Sequence, residues 1–408
     1  MQRLWILSEL YFPVQTSTGY FITKISEELA KEYSVKIITI SVKNYSQYEV
    51  INNVEIFRCK SILFDKNFFL GRLVNLVSHS VSIFWKALFS CQQGDFILVV
   101  TNPPLLPFIA LIIKWIKRCN IVLLIHDVYP EVLVAVGLCK PSSIIVKVGQ
   151  MMNRVLYNHT CKIITLGRDM TQLVKVKLTN PEEKIYCIPN WTDNEIVTPT
   201  ERTNNSLLQK LEVAERFVVL YAGNMGITHS IESLAKAANI LQSNPNIYFV
   251  FVGFGAKRKW LEDYVILNKI KNISIINPYP RSELIVVLNA CDVALISFVP
   301  GMAGVSVPSR MYNQMAAGKP IIAVADDSSE LAEVVREEKI GWIVKPGNVK
   351  DLIHTIQLAA DNRKLCAQMG ARAAMVAKNK YTLNQTVQAY QRLFKELVTF
   401  SQYEADKN

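Results

Sequence analysis

Short apolar segments with strand character alternate with helical patterns twice along this chain. In the first half, residues 4–7, 35–41, 96–101 and 121–126 have strand patterns, and helical patterns separate them. The second series of strand-like segments covers residues 217–221, 248–252, 273–276, 293–297, 321–325 and 342–344. Alternation at this spacing favours parallel sheets with helices on both faces. The sequence therefore predicts an α/β protein with two Rossmann-like parallel-sheet domains, whose ligands bind beyond the carboxyl ends of the strands.

The length of the chain allows this organisation, because 408 residues are enough for two or three domains with separate cores. Polarity rises over residues 192–215, which is typical of a connector. We place an N-terminal domain at residues 1–195, a C-terminal domain at 196–380 and a final helical segment at 381–408. No run reaches the ~18–20 apolar residues that span a bilayer, and the early first strand leaves no secretory signal pattern. These features predict a cytoplasmic protein.

The formal net charge of +11 suggests an anionic partner or surface. Nucleic acid is disfavoured, because the sequence has no recognition motif and no aromatic-basic RNA signature. An anionic membrane surface fits better, since basic residues accompany the apolar segments. Simple solubility explains the charge about as well. The eight cysteines are scattered without a Cys-x-x-Cys pair, which indicates reduced thiols rather than zinc ligands or disulfides.

Residues 307–322, VPSRMYNQMAAGKPII, predict a helix that begins beside a phosphate-sized site. Pro308 and Ser309 suit a first helical turn, with the Ser309 hydroxyl as a cap. Gly318 suits the left-handed residue that ends a helix. A helix N-terminus offers free N–H groups and a partial positive charge, and Arg310 falls in this first turn. The segment therefore predicts a binding site for the diphosphate of a nucleotide sugar.

The same segment resembles the signature of family 4 glycosyltransferases, in the branch that builds bacterial surface polysaccharides. The matching positions are Pro308, Ser309, Arg310, Met315, Ala316, Ala317, Gly318, Lys319 and Pro320, with Arg310 in place of the usual Lys. The family glutamate that holds the nucleotide ribose falls at Asn313, and the earlier family glutamate falls at Val305. An amide at Asn313 forms a weaker hydrogen bond to a hydroxyl than a carboxylate does.

The resemblance has consequences for the fold and for the site. It implies a GT-B fold, with two domains facing an interdomain cleft and a final helix that crosses back to the N-terminal domain. It also implies that the nucleotide sugar is bound by this part of the chain. The candidate residues there are Val305, Ser306, Ser309, Arg310 and Asn313.

A glycine-rich turn follows the strand-like segment at residues 217–221. Gly223, Asn224 and Gly226 precede a predicted helix, and glycines there let the backbone approach a phosphate closely. His229 would add cationic support for the diphosphate beside Arg310. A tight turn without a ligand is the alternative, but next to the signature helix we favour phosphate contact.

Two further turns follow the next strands of the C-terminal domain. Gly253 begins a Gly-x-Gly turn, which is weak evidence for a dinucleotide fingerprint and is better explained as a structural turn near the nucleotide. By resemblance, the loop with Pro278 and Tyr279 lies against the nucleobase, although an ordinary loop is nearly as good an explanation.

The N-terminal domain offers a His-Asp pair at the end of a strand. His126 and Asp127 follow residues 121–125, where the carboxyl end of a strand would place a reacting residue. As the family histidine does, His126 would bond the donor sugar, and Asp127 would orient it or accept an acceptor proton. Gly19 lies in the loop that closes near the diphosphate in relatives, but a helix cap explains Thr18 and Gly19 equally well.

The sequence predicts neither a metal site nor a cofactor, because it has no Asp-x-Asp motif and no clustered ligands. In GT-B enzymes of this type, helix dipoles and cationic side chains stabilise the leaving group. Residues 71–90 form a helical pattern with Leu73, Leu76, Val77, Phe84 and Leu88 on one face. With Phe68, Phe69, Arg72, Trp85, Lys86 and residues 105–116, this helix is the predicted contact with membrane and lipid-linked acceptor. A helix packed on its own sheet explains most of the same stripe.

Together these observations predict a metal-independent retaining glycosyltransferase. It would move a hexosyl or N-acetylhexosaminyl group from a nucleoside-diphosphate sugar to a lipid-linked or polysaccharide acceptor, at the inner face of the cytoplasmic membrane. Two alternatives remain open at this point: a non-catalytic GT-B relative, favoured by Asn313 and Val305, and a nucleotide-sugar epimerase.

Overall fold

The computed structural model describes residues 2–14, 16–62, 64, 69–192 and 196–407. Phe68 and the linker residues 193–195 lie outside the described residues, and so do the side chains of Phe69, Arg72 and Leu73. The chain divides into two compact units. Unit 1 contains residues 1–130, 141–189 and 386–408, and unit 2 contains residues 131–140 and 190–385. The chain thus passes from unit 1 to unit 2 between Pro189 and Asn190, and its last segment, residues 386–408, belongs to unit 1.

Unit 1 is built on an eight-stranded sheet whose strands follow the order β3-β4-β2-β1-β5-β6-β7-β8. The strands are β1 (Arg3–Leu7), β2 (Ser34–Ile40), β3 (Tyr48–Ile51), β4 (Val54–Cys59), β5 (Phe96–Val100), β6 (Asn120–Leu124), β7 (Lys162–Thr165) and β8 (Ile185–Cys187). All described pairings are parallel except that of β3 with β4, an antiparallel hairpin at the edge. The central strands β1, β5 and β6 are almost wholly apolar, because helices cover both faces of a parallel sheet.

The helices of this half of the chain alternate with the strands. They are α1 (Ser17–Leu29), α2 (Phe69–Ser90), α3 (Leu106–Lys117), α4 (Glu131–Ala135), α5 (Ile144–His159) and α6 (Arg168–Lys175), of which α4 belongs to unit 2. Crossovers in parallel sheets are right-handed, so the direction in which the chain moves across the sheet decides which face a helix covers. The chain moves across the sheet toward β8 in three steps, from β4 to β5, from β5 to β6 and from β6 to β7. It moves in the opposite direction from β1 to β2. Consequently α2, α3 and α5 share one face, and α1 lies on the opposite face.

Unit 2 contains a six-stranded parallel sheet in the order β11-β10-β9-β12-β13-β14. Its strands are β9 (Phe217–Ala222), β10 (Ile247–Val252), β11 (Ile273–Ile276), β12 (Val293–Ser297), β13 (Ile321–Val324) and β14 (Gly341–Val344). Its helices, with the long C-terminal one, are α7 (Ser206–Lys210), α8 (Ile231–Leu241), α9 (Arg258–Leu267), α10 (Leu284–Asn289), α11 (Arg310–Ala316), α12 (Glu330–Glu337), α13 (Val349–Asp361), α14 (Arg363–Lys380) and α15 (Leu383–Lys407). This strand order is that of a Rossmann domain, whose ligand crevice lies where the order reverses, between β9 and β12.

The core of unit 2 lies on both faces of its sheet. Alternate residues of each strand enter different layers: Val218 and Leu220 of β9 pack on one side, and Phe217, Val219 and Tyr221 pack on the other. This period of two is what a strand buried on both faces requires. The prediction of two parallel-sheet α/β domains is confirmed. The edge hairpin strand β3, absent from the predicted strands, alternates exposed and half-buried residues, as a strand at a sheet edge does.

Candidate functional site

The turn after β9 is built so tightly that only glycine fits. Gly223 has φ of +139° and Gly253, in the turn after β10, has φ of +151°. A Cβ on Gly253 would lie 2.0 Å from the Gly223 carbonyl oxygen, so the two turns touch through bare backbone. The Met225 amide donates to the Phe254 carbonyl at 2.7 Å and locks them together. The predicted structural turn at Gly253 therefore supports the glycine turn at Gly223 directly.

Arg310 is brought to this turn from the start of α11. Its Cζ lies 4.9 Å from the centroid of the Tyr221 ring, and a Cβ on Gly223 would come within 3.0 Å of it. Its Nη2 donates to His229 Nε2 at 2.6 Å and approaches the Asn224 carbonyl at 3.4 Å. Its Nη1 is buried and has no hydrogen-bond partner among the described residues. A guanidinium group held on one side and unsatisfied on the other is ready to bind an oxyanion.

His229 holds Arg310 as a neutral acceptor. Burial, Arg310 and Lys257, in that order, hold the pKa of His229 well below its ordinary range. Since Nε2 accepts from Arg310, Nδ1 carries the proton and donates to Thr228 Oγ1 at 3.0 Å. The expectation that His229 adds positive charge for a diphosphate is therefore wrong. Burial and the nearby cations Arg310 and Lys257 all oppose protonation of its ring. The ring instead orients the cation that is present.

Lys257 is the second cation beside this cluster, and it is already engaged. Its Nζ donates to the His229 carbonyl at 2.7 Å and to Glu232 Oε2 at 2.8 Å. Gly226 packs against the side chain of Asn224, since a Cβ on Gly226 would lie 2.9 Å from Asn224 Nδ2. Gly223, Asn224, Gly226, His229, Gly253 and Arg310 thus form one cluster at the carboxyl ends of β9 and β10.

The signature helix α11 is shorter than the sequence suggested. It begins at Arg310, and Ser309 precedes it with no side-chain cap hydrogen bond, so the predicted Ser309 cap is wrong. The reason is conformational: Ser309 already has helical φ and ψ, whereas a capping serine is extended. The predicted left-handed stop is confirmed, since Gly318 has φ of +67°. Asn313 lies three residues after the start of this helix and is half-buried.

The loop between β12 and α11 is held by a carboxylate that the sequence analysis did not include among the candidates. Asp326 Oδ2 accepts the amides of Gly301 and Met302 at 2.9 Å each and of Ala303 at 3.2 Å. Two residues further on, Val305 is buried and apolar and Ser306 is half-buried. The available signal was an Asp pair, Asp326 and Asp327, directly after the predicted strand at residues 321–325.

The remaining candidates of unit 2 lie in the turn after β11. Pro278 is exposed, and Tyr279 is half-buried and packs against the sheet core. Within the described residues, neither Pro278 nor Tyr279 forms a hydrogen bond or ring contact with Arg310 or with the glycine turn. Their predicted place beside a nucleobase stays a prediction.

His126 and Asp127 lie in unit 1 at the carboxyl end of β6. The strand ends at Leu124, two residues earlier than predicted, and both backbone amides donate to Thr101 Oγ1, at 3.0 Å from His126 and 3.3 Å from Asp127. Thr101 directly follows β5. The His126 side chain is half-buried, but its Nε2 is enclosed and has no partner in the described part of the chain. Burial lowers the pKa of His126 to about 4, so the ring is neutral near pH 7.

Gly19 also lies in unit 1, in the first turn of α1. The cap of this helix is Thr16, whose Oγ1 accepts the Gly19 amide at 3.2 Å, so the alternative cap at Thr18 is wrong. A Cβ on Gly19 would lie 2.6 Å from the Val14 carbonyl oxygen, which explains the glycine by packing.

No group of three or more His, Cys, Asp or Glu side chains within the described ranges is arranged to hold a metal ion. The ionic chemistry of the Arg310 cluster is that of an anion site, because the buried Nη1 of its guanidinium has no hydrogen-bond partner among the described residues.

Comparison with known proteins agrees with this geometry. The family model of glycosyl transferases group 1 matches residues 205–375, which include β9 to β14 and the Arg310 cluster. This part of the chain is therefore similar to the group 1 glycosyltransferases. Over 349 residues it is 29% identical to the "Probable glycosyltransferase WbjE" of Pseudomonas aeruginosa, covering 85% of this chain and 87% of that protein. Over 369 residues it is 23% identical to the "Putative colanic acid biosynthesis glycosyl transferase WcaI" of Escherichia coli (strain K12). This match covers 86% of this chain and 90% of that protein.

Solved structures of glycosyltransferases share the fold. Sucrose-phosphate synthase from Thermosynechococcus elongatus superposes with a TM-score of 0.81 over 98% of this chain and 100% of that one, at 16% identity. HepE of Anabaena, in complex with UDP and glucose, superposes with a TM-score of 0.75 over 97% and 100%, at 15% identity. The fold is thus GT-B, and the resemblance to surface-polysaccharide glycosyltransferases found in residues 307–322 extends to relatives across most of the chain.

Proposed function

We propose that this glycosyltransferase is a retaining enzyme of family 4 that uses a nucleoside-diphosphate sugar. The observation that carries the proposal is the buried, unpartnered Nη1 of Arg310 beside the glycine turn at Gly223. A diphosphate oxygen bound there would satisfy the guanidinium and gain a charge-assisted hydrogen bond. HepE, which shares the fold, was crystallised with UDP and glucose, which supports a nucleotide-sugar donor here.

In the proposed reaction the bond between the anomeric carbon and the diphosphate oxygen breaks, and its electron pair leaves with the phosphate. The acceptor hydroxyl oxygen forms the new bond on the same face, and its proton passes to the departing phosphate. Arg310 stabilises the charge that develops on the leaving group, so no divalent metal is required in this scheme. His126, neutral near pH 7, is suited to bond a sugar hydroxyl and not to act as an acid. Asp127 is suited to orient it or, in place of the phosphate, to accept the acceptor proton.

We further propose that the acceptor is a lipid-linked or polysaccharide glycan of the cell envelope, made in the cytoplasm at the inner face of the membrane. The relatedness to a colanic acid biosynthesis glycosyl transferase supports a surface-polysaccharide product. No helix among the described residues is long and apolar enough to cross a membrane, so contact with the bilayer would be peripheral. The transferred group would be a hexosyl or N-acetylhexosaminyl residue.

The donor site can be tested by substituting Arg310. Arg310→Ala should weaken UDP binding in calorimetry by about 1.5–3 kcal/mol, which is the usual worth of a hydrogen bond to a charged group. Transfer from the matching UDP-sugar to a lipid-linked acceptor should fall in parallel, because the same contact stabilises the leaving group.

Arg336→Ala is the matched control, since Arg336 is an exposed arginine of unit 2 that pairs with Asp327 away from the glycine turn. It should leave UDP affinity unchanged. Equal affinities for wild type and Arg310→Ala would remove Arg310 from the donor site. A wild-type chain that binds no nucleoside diphosphate at all would favour a non-catalytic relative.

A further inference from the structure

Three neighbouring helices of unit 1 turn apolar side chains outward. The exposed large apolar residues on them are Val74, Val77, Val81, Trp85 and Phe89 of α2, Ile112, Trp115 and Ile116 of α3, and Ile144, Ile145, Val148, Met151, Met152 and Val155 of α5. We call this set the outer apolar face. On α5 its members recur at helical spacing along the whole helix, so the apolar stripe lies on the outer side and not on the sheet side.

The three helices lie side by side, so their exposed residues form one surface. They share one face of the sheet, and α3 contacts both α2 and α5. Between α3 and α5, Lys114 Nζ donates to the His159 carbonyl at 2.7 Å, and the Trp115 and His159 rings meet edge to face at 5.9 Å. By contrast α1, on the opposite face of the same sheet, exposes no large apolar side chain among its described residues.

The inward side of α2 mixes polar and apolar residues. Asn75, His79 and Ser80 are buried there with Ile83 and Ala87, and His79 Nδ1 lies 3.1 Å from Glu9 Oε1. An ordinary surface helix has polar residues on its outer side instead. Water is therefore an unfavourable environment for the outer side of this helix, and an apolar groove lined by Ile62, Val74, Val77 and Val81 runs along it.

The charges on the same helices identify the occupant. In sequence, α2, α3 and α5 contain no Asp or Glu. Their basic residues are Arg72, Lys86, Lys114, Lys117, Lys147 and Arg154. A second copy of the chain in a two-fold dimer would place this cationic surface against itself. An anionic lipid surface instead accepts apolar side chains in its acyl region while Lys and Arg reach its headgroups.

We infer that the outer apolar face docks on an anionic bilayer, with α5 and α3 contributing as much as α2. The inference rests on the membrane contact proposed above and identifies the surface that makes it. It differs from the sequence-based expectation, which had placed the contact on α2, its preceding residues and α3 without α5.

The test uses the full chain and sedimentation with vesicles of phosphatidylcholine alone or of phosphatidylcholine mixed with phosphatidylglycerol. Wild type should bind the mixed vesicles and release at high salt. The variant Ile144→Glu with Met151→Glu changes two side chains that are 78% and 60% exposed, so it should fold normally. It should bind the mixed vesicles more than about tenfold more weakly, because each adverse charge at an anionic surface costs about fivefold.

The matched control is Ile266→Glu with Met375→Glu in unit 2, at positions that are 74% and 57% exposed. It introduces the same residue types and charge and should bind like wild type. Equal binding by both variants, or equal binding to vesicles with and without phosphatidylglycerol, overturns the inference. A different outcome would assign the outer apolar face to a second copy of the chain: wild type binds no vesicles and forms dimers, and the α5 variant does not form them. Transfer to a detergent-dispersed acceptor should survive in the α5 variant. A wild-type chain that binds no nucleoside diphosphate would contradict the proposed function alone.

Discussion

Arg310 and His229 show how a single site cation is prepared for a ligand. The imidazole Nε2 takes one N–H of the guanidinium, the Tyr221 ring supports its plane, and Nη1 remains unsatisfied. A buried unpaired donor is costly in the free protein, so binding an oxyanion recovers that cost. His229 is in this view a positioning residue, since it touches Arg310 and not the proposed diphosphate.

Substitution of His229 should separate an acceptor role from simple packing. His229→Gln keeps an acceptor oxygen near the position of Nε2, whereas His229→Leu removes it and leaves Arg310 free to turn away. We expect His229→Leu to raise the KM for the donor about five- to tenfold, as for loss of a hydrogen bond of about 1–1.5 kcal/mol. His229→Gln should restore the KM, as steady-state kinetics can measure.

The same histidine should make stability depend on pH. Its folded pKa is depressed, so the unfolded chain takes up a proton near pH 6.5 and the folded chain does not. The free energy of unfolding should therefore fall as pH falls below about 6.5, and His229→Gln should reduce that slope in urea titrations. Equal KM values for the Leu and Gln variants, with unchanged pH dependence, would contradict the positioning role.

At the scale of elements, the contact between the turns after β9 and β10 fixes the shape of the donor site. Gly253 combines a left-handed φ of +151° with the 2.0 Å approach to the Gly223 carbonyl oxygen. No side chain is compatible with that distance. The turn that carries Gly223 therefore depends on a residue of the next strand-turn unit.

Gly253→Ala should reduce the free energy of unfolding by more than about 3 kcal/mol, since it adds a backbone clash to an unfavourable φ. Gly347→Ala is the control: its φ is +84° and nothing lies within 4 Å of an added Cβ. It should cost only about 1–2 kcal/mol, the conformational term alone. Urea unfolding of both variants measures the difference, and equal losses would show that the close approach is relieved at no cost.

At the scale of the whole molecule, two sheets with separate cores form two units joined in one chain. The proposed diphosphate contacts, Arg310 and the Gly223 turn, belong to unit 2 alone. A ligand stabilises only the states that bind it. Nucleotide binding should thus act first on the unit that contains β9 to β14.

Hydrogen exchange with and without UDP can test this expectation. At about 100 times Kd, the slowest amides of β9 and β10 should gain about 2.7 kcal/mol of protection. Those of β1 and β5 should gain much less. Equal protection of both sheets would mean that the chain unfolds as one cooperative unit.

Much of this protein was determined by local sequence pattern. Short continuous apolar runs predicted most strands of both sheets, and their alternation with helices predicted parallel order, because a crossover connection leaves few other topologies. Gly318 indicated the left-handed end of α11, and residues 307–322 indicated the family. These features depend on neighbours in sequence, so they can be recognised in the sequence alone.

Tertiary structure decided the properties that depend on burial and on distant charges. The charge state of His229 follows from Arg310 and Lys257, which lie 81 and 28 residues away. The burial of Asn75 and His79 on the inner side of α2 follows from packing on the sheet and, for His79, from Glu9, whereas the helical pattern alone suggested an apolar core stripe. Desolvation and Coulomb interactions act through space, and for that reason the sequence could name the residues of the site but not their protonation, partners or exposure.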